Sequence, residues 1–149
     1  MHKVIVDSAF GSLASLEMTK SILDSGVFGR LRNYTLYEND FLQHDFSIQY
    51  DGLVMGEVLE HVENPAAFLS KIGAVTTADP FVFLTTCMNA PVVDHLTNFE
   101  TPQHLERMFH DAGLSVKQRL VLPHFGKTVE ESLEEQLSIN MAYSLGKVS

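Results

Sequence analysis

The sequence predicts an α/β fold in which a mainly parallel sheet carries helices on both faces. Three observations lead there. Short apolar runs at Val4-Ile5-Val6, Leu53-Val54-Met55 and Phe81-Val82-Phe83-Leu84-Thr85 have strand length and strand-forming residues. Segments of helical spacing alternate with them, and Asn64-Pro65 and Thr101-Pro102 each place an N-cap residue before a first-turn proline. Such alternation favours parallel pairing through right-handed crossovers and puts ligands at the carboxyl ends of the strands.

Each element follows in order. Val4 to Val6 ends in Asp7, and Leu13, Leu16, Ile22 and Leu23 then recur at near-helical spacing until Gly26 stops the helix. Tyr34-Thr35-Leu36-Tyr37 reads as a strand closing on Glu38-Asn39-Asp40-Phe41. Leu53 to Met55 is entered through a Tyr50-Asp51 turn. Asn64 opens a helix that reaches Lys71 or beyond with Phe68, Leu69 and Ile72 on one side, and Asp79-Pro80 ends the connection before the buried strand Phe81 to Thr85. Thr101-Pro102 caps a helix whose Leu105, Met108, Phe109 and Ala112 form the apolar stripe, terminated by Gly113. Leu114 to Leu122 is a strand. Thr128-Val129-Glu130-Glu131 fits a capping box for a short acidic helix, and a last strand covers Ile139 to Leu145. No internal repeat, low-complexity tract or linker interrupts this order.

At 149 residues the chain fits one domain, able to bury roughly two thirds of its unfolded surface. Apolar residues make up 45%, and no run approaches the ~18 that would span a bilayer, so a soluble protein is expected. The start, Met1-His2-Lys3-Val4, lacks the basic, apolar and small-residue order of a secretory signal. The lone Cys87 has no internal disulfide partner, which fits a reducing, cytoplasmic setting. A net charge of −9, with Glu130, Glu131, Glu134 and Glu135 clustered, opposes the field that nucleic-acid phosphates require. A small-molecule or protein substrate is favoured, with no membrane and no nucleic acid.

The segment Tyr50-Asp51-Gly52-Leu53-Val54-Met55-Gly56-Glu57-Val58-Leu59-Glu60-His61-Val62 joins a buried strand to two carboxylates and an imidazole. With its flanks it resembles the middle of class I S-adenosylmethionine-dependent methyltransferases, where an aspartate, an apolar strand and Glu-Val-Leu-Glu-His-Val form the fourth strand and its exit loop. The likeness continues through Phe81 to Thr86, a fifth strand, then Asn89-Ala90-Pro91, Asp94-His95, Thr101-Pro102 and Ala112-Gly113-Leu114, where Leu114 replaces the usual phenylalanine. It implies a Rossmann-like methyltransferase sheet, S-adenosylmethionine as cofactor and methyl transfer to a small molecule, with O-methylation suggested by the Glu-x-x-Glu-His pattern.

One family feature is missing. No glycine-rich turn of the type Asp/Glu-x-Gly-x-Gly-x-Gly occurs, and the nearest candidate, Asp7-Ser8-Ala9-Phe10-Gly11-Ser12, has one glycine and a bulky Phe10. On one register, Asp7 and Asp40 stand where the family places its ribose-binding and adenine-binding acids, and the family's first strand is absent from the chain. That strand is central in the family's sheet, flanked by strands two and four, so its loss would expose two strand edges. On the other register Val4 to Val6 is a degenerate first strand.

The resemblance assigns cofactor contacts to Asp7, Asp40, Phe41 and Glu57: ribose hydroxyls on Asp7, the adenine amino group on Asp40, the base against the Phe41 amide and ring, and the methionine end beside Glu57. Read without it, Asp7 is a helix-entry acid and Asp40 a turn aspartate. Glu57, Glu60, His61 and His95 match residues that in some O-methyltransferases, the small-RNA 3′-end enzymes among them, hold a divalent metal such as magnesium. Many relatives with the same string need none. His95 without metal is a candidate general base, against a purely structural histidine. Asn89 binds substrate or fixes the turn before Pro91. His104 and His110 lie six apart on a helix and share no ligand face, and Met108 and Phe109 are core residues.

The competing class is non-catalytic: a truncated methyltransferase-like domain or partner-binding subunit, with homo-oligomerisation or another chain supplying the missing strand. A dinucleotide-binding oxidoreductase is disfavoured because no Gly-x-Gly-x-x-Gly occurs.

Overall fold

The structure, a computed structural model, describes residues 4–7, 13–27 and 34–148, with side chains from residue 16 to 27 and from 35 to 148. The chain divides into two compact units, Met1–Asp45 and Phe46–Ser149.

In the first unit, β1 (Val4–Asp7) and β2 (Tyr34–Tyr37) pair in parallel, with Val4 opposite Tyr34 and Asp7 opposite Tyr37. A parallel pair needs a crossover, and α1 (Leu13–Asp24) supplies it. Gly26 takes a φ of 73° just past the helix, the left-handed conformation that ends helices at low cost only with glycine. The nearest candidate for a cofactor turn, residues 8–12, lies outside the described residues.

The second unit holds β3 (Tyr50–Gly56), a 3₁₀ turn (Leu59–His61), α2 (Pro65–Val75), β4 (Thr76–Met88), α3 (Pro102–Asp111), β5 (Leu114–Leu122), α4 (Val129–Glu134) and β6 (Ile139–Lys147). The strand order is β3-β4-β6-β5. The expected caps form. Asn64 Oδ1 accepts from the Ala67 N–H at 3.0 Å, Thr101 Oγ1 accepts from the His104 N–H at 3.2 Å, and Thr128 with Glu131 completes a capping box. β4 begins earlier than the sequence suggests. Its ladder with β3 pairs Tyr50 with Thr76, then skips to Gly52 with Phe81, so Asp79-Pro80 sits in an irregularity where a missing N–H does no harm.

The α/β class and the methyltransferase-like sheet agree with the sequence, but the parallel share is smaller than alternation suggests. Among the described residues β1–β2 and β3–β4 are parallel, while β4–β6 and β6–β5 are antiparallel. The reason lies after β5: the chain passes through α4 and returns antiparallel between β4 and β5, and a short helix in a return loop reads like one in a crossover.

The core lies on one face of the sheet. Alternate residues Val82, Leu84 and Met88 of β4 meet Ile139, Met141, Tyr143 and Leu145 of β6, all no more than 2% exposed. Phe109 of α3 packs its ring on Tyr143 at 5.0 Å in an edge contact, and α2 lies beside α3 so closely that a Cβ on Gly73 would stand 2.8 Å from the Ala112 carbonyl oxygen.

Candidate active site

The carboxyl ends of parallel strands are where each unit presents its candidate residues. In the first unit Asp7 is the last residue of β1 opposite Tyr37, and Asp40 follows β2 by three residues, so both acids leave the same end of the pair. Asp40 shapes its own turn: Oδ1 accepts from the Leu42 N–H at 2.8 Å, and its carbonyl accepts from Gln43 and His44. The carboxylate is exposed, leaving Oδ2 for an outside donor. Phe41 is buried, at 7% exposure.

In the second unit the exits of β3 and β4 are bound together. Glu57 directly follows β3 with a φ of 51°, its N–H donating to the Thr85 carbonyl and its side chain exposed. Glu60 turns inward instead. Its carboxylate is 1% exposed, accepting from Thr86 Oγ1 at 2.9 Å and from the Cys87 thiol at 3.8 Å. The Glu60 carbonyl takes the N–H groups of Leu96 and Thr97, and Thr97 Oγ1 donates to the Val62 carbonyl at 3.0 Å. The β4 exit loop is therefore stapled to the β3 exit loop.

Two histidines meet across that seam with ring centres 4.8 Å apart. His61 Nδ1 lies 2.9 Å from the Asp94 carbonyl oxygen, and His95 Nδ1 lies 2.6 Å from that of Ala90. A carbonyl oxygen only accepts, so each Nδ1 carries the proton and each Nε2 keeps its lone pair in the neutral ring. The tautomer follows from this hydrogen bonding.

Burial dominates the electrostatics. Desolvation pushes the Glu60 carboxyl above its ordinary value, bonds from the backbone and Thr86 oppose the rise, and the nearby Glu57 adds to it. The Cys87 thiol is pushed up to about 12 by burial and then by the charges of Glu60 and Glu57, which makes it a poor nucleophile.

The proposed metal ligands separate into two overlapping groups among the described residues. Ligand atoms of Glu60, His61 and His95 lie within 4.8 Å of one another, and so do those of Glu57, Glu60 and Cys87, but Glu57 does not join the histidines. Magnesium takes oxygen ligands and keeps several waters. Two imidazoles and one buried carboxylate, already engaged by Thr86 and Cys87, do not fit it.

Sequence reasoning missed Thr86, Cys87 and Thr97. Thr86 had a signal: a hydroxyl at an inward position between Leu84 and Met88 calls for a buried acceptor. A cavity of about 460 Å³ was also missed; Asn89, Asn98, Gln103, Leu133 and Gln136 are among its lining residues, and its Asn89 and Pro91 flank the Ala90 that holds His95.

No family profile matches the sequence, and no curated protein does. Solved structures match the fold. The N-methyltransferase NodS of Bradyrhizobium japonicum WM9 with S-adenosyl-L-homocysteine superposes with a TM-score of 0.70 at 12% identity, over 99% of this chain and 66% of that one. The StiE O-methyltransferase matches at 0.69 and 14%, over 97% and 59%. The [4+2]-cyclase SpnF matches at 0.74 and 8%, over 98% and 66%. The chain thus spans about three fifths to two thirds of the length of these structures. It has the class I methyltransferase fold, a fold that SpnF shows is not confined to methyl transfer.

Proposed function

We propose that this chain forms the acceptor side of an S-adenosylmethionine-dependent methyltransferase acting on a small molecule, with oxygen as the methyl acceptor. The observation that carries the reading is His95, held through Nδ1 by the Ala90 carbonyl and with no partner at Nε2 among the described residues, beside the buried Glu60 at the carboxyl ends of the parallel strands β3 and β4. An imidazole so held takes a proton from a hydroxyl nucleophile, while the Ala90 carbonyl stabilises the ring as it becomes charged. When bound, S-adenosylmethionine supplies a sulfonium methyl group to the nucleophile. By the resemblance, Asp40 would hold the adenine amino group through its Oδ2, and Glu57 would serve the methionine end.

Fit to the cofactor is partial. The Asp40 carboxylate has an open oxygen, whereas the sequence provides no glycine-rich cradle for the methionine end. The cavity, lined by amides and by the Glu100 carboxylate, suits an acceptor rich in hydrogen-bond donors. No step is assigned to magnesium, and the raised thiol of Cys87 takes no covalent part. No described helix is long and apolar enough to cross a membrane, and a reducing, cytoplasmic setting accords with the buried free thiol.

Titration calorimetry with S-adenosylmethionine tests the reading. Asp40→Ala should weaken binding about tenfold, the loss of roughly 1.4 kcal/mol, while His95→Ala leaves binding within twofold. No heat with the intact chain at high concentration would defeat the enzyme reading for it.

A further inference from the structure

Three described residues other than glycine hold a positive φ: Glu57 at 51°, Asn89 at 49° and Gln136 at 53°. Asn89 and Gln136 line the same cavity, of about 460 Å³, within the second unit. Left-handed backbone is costly for a residue with a Cβ, and such positions gather where a ligand is held.

Gln136 is the sharper case. It follows α4, with its N–H donating to the Leu133 carbonyl and that of Leu137 to the Ser132 carbonyl, the Schellman pattern that ends a helix on a left-handed residue. Glycine is the usual residue there, and this chain has it after α1 and α3, at Gly26 and Gly113. A glutamine after α4 does nothing for the cap that glycine would not do better, so its side chain serves something else. Asn89 directly follows β4, and its N–H donates at 3.0 Å to the carbonyl of the fully buried Phe99, so the left-handed residue is anchored on the core.

The lining selects the ligand. Asn89, Asn98, Gln103 and Gln136 contribute four carboxamides, and among the described residues none of these side chains has a hydrogen-bond partner within the chain. Each carboxamide offers donors and an acceptor, while Glu100 adds a carboxylate that only accepts. No described lining residue is a lysine or arginine, so an anion is poorly suited. An ammonium ion would satisfy Glu100 but leave the carboxamide hydrogens without acceptors, whereas a hydroxyl group both donates and accepts. Pro91, Pro102 and Leu133 supply apolar facets for the C–H faces of a sugar ring.

We propose that this cavity binds a neutral saccharide, with Asn89 and Gln136 as its specificity-determining residues. The proposal rests on the methyltransferase reading only in making this saccharide the methyl acceptor, since Asn89 and Pro91 flank the Ala90 whose carbonyl holds His95. Binding itself does not depend on that reading.

The probes are maltose, cellobiose and lactose, each titrated to high millimolar concentration against the intact chain without S-adenosylmethionine. The side-chain NH2 signals of Asn89 and Gln136 are followed by NMR, and at least one disaccharide should shift both saturably. Gln136→Gly should melt at or above the wild-type temperature, because glycine suits the cap, yet weaken that binding about tenfold. Asn89→Gly, folded by circular dichroism, should weaken it to a similar extent. Saturable shifts from choline with none from the sugars would assign the cavity to a cation and overturn the proposal. So would the absence of a shift with all three sugars, or undiminished binding by both glycine variants. A lower melting temperature for Gln136→Gly would overturn it too, by making that side chain a structural part of the cap. Because every titration omits the cofactor, failure here leaves the calorimetric test of the methyltransferase reading standing, and failure there leaves this one.

Discussion

Thr86 Oγ1 donates to Glu60 Oε2 across 2.9 Å, joining the end of β4 to the loop after β3 where both side chains are out of water. Removing the donor leaves a buried acceptor short of a partner, so Thr86→Val should lower stability by about 1–3 kcal/mol. Glu60→Gln keeps an oxygen for Thr86 and removes the ionisation. Burial raises the Glu60 pKa above 4.5, so the folded chain holds that proton more tightly than the unfolded one. Its contribution is then full below the unfolded value and is lost as pH rises through the folded one. Urea midpoints for wild type and Glu60→Gln should therefore diverge in favour of the variant from pH 4 to pH 7. A constant difference across that range would mean that the carboxyl is not perturbed.

Cys87 sits against the same carboxylate, and its pKa of about 12 against an ordinary 9.0 leaves roughly a thousandth of the usual thiolate at pH 8. Alkylation of the native chain at pH 8 should proceed only as fast as the protein opens, and become immediate in urea. Rapid modification of the folded protein would contradict both the burial and the shift.

The sequence is most legible where chemistry is local. Asn64, Thr101 and the Thr128–Glu131 box announce helix starts through hydrogen bonds to residues two or three positions on, and Gly26 and Gly113 announce stops through a positive φ. Strand direction is less legible, because nothing in β5 or β6 encodes whether the chain crosses over or turns back between them. The site divides in the same way. The Glu57-to-His61 string is visible as a string, but the partners that fix it, Thr86, Cys87, Asp94 and Thr97, are 26 or more residues from Glu60 and are joined to it only by the β3–β4 register.

Gly73 places α2 and α3 in contact through the smallest possible spacer. Alanine raises helix propensity by about 0.8–1 kcal/mol, which alone would stabilise the chain. Its Cβ, however, would stand 2.8 Å from the Ala112 carbonyl oxygen, a backbone atom that no rotamer change moves aside. Overpacking of this kind costs about 1–3 kcal/mol, so the penalty should prevail and Gly73→Ala should melt at a lower temperature. A melting point equal to or above wild type would show that the two helices separate freely.

Tyr143 tests whether a buried hydroxyl is satisfied. Its ring is fully buried against Phe109, and its Oη has no partner within hydrogen-bond geometry among the described residues. Burial first, and the Glu106 carboxylate second, raise its pKa, while Arg119, held to Glu106 at 2.8 Å, opposes the rise. Glu106 is thus near enough to be felt electrostatically, and the geometry, rather than that nearness, decides against a bond. An unpartnered buried hydroxyl costs about 1–3 kcal/mol, so Tyr143→Phe, which keeps the ring contact and deletes the oxygen, should leave the urea midpoint unchanged or raise it. A phenol with a raised folded pKa also draws stability away as pH climbs above 10.0, and the variant should lack that alkaline loss. A fall of about 1 kcal/mol in Tyr143→Phe, cancelled when Glu106→Gln is already present, would instead establish a hydrogen bond between the two side chains.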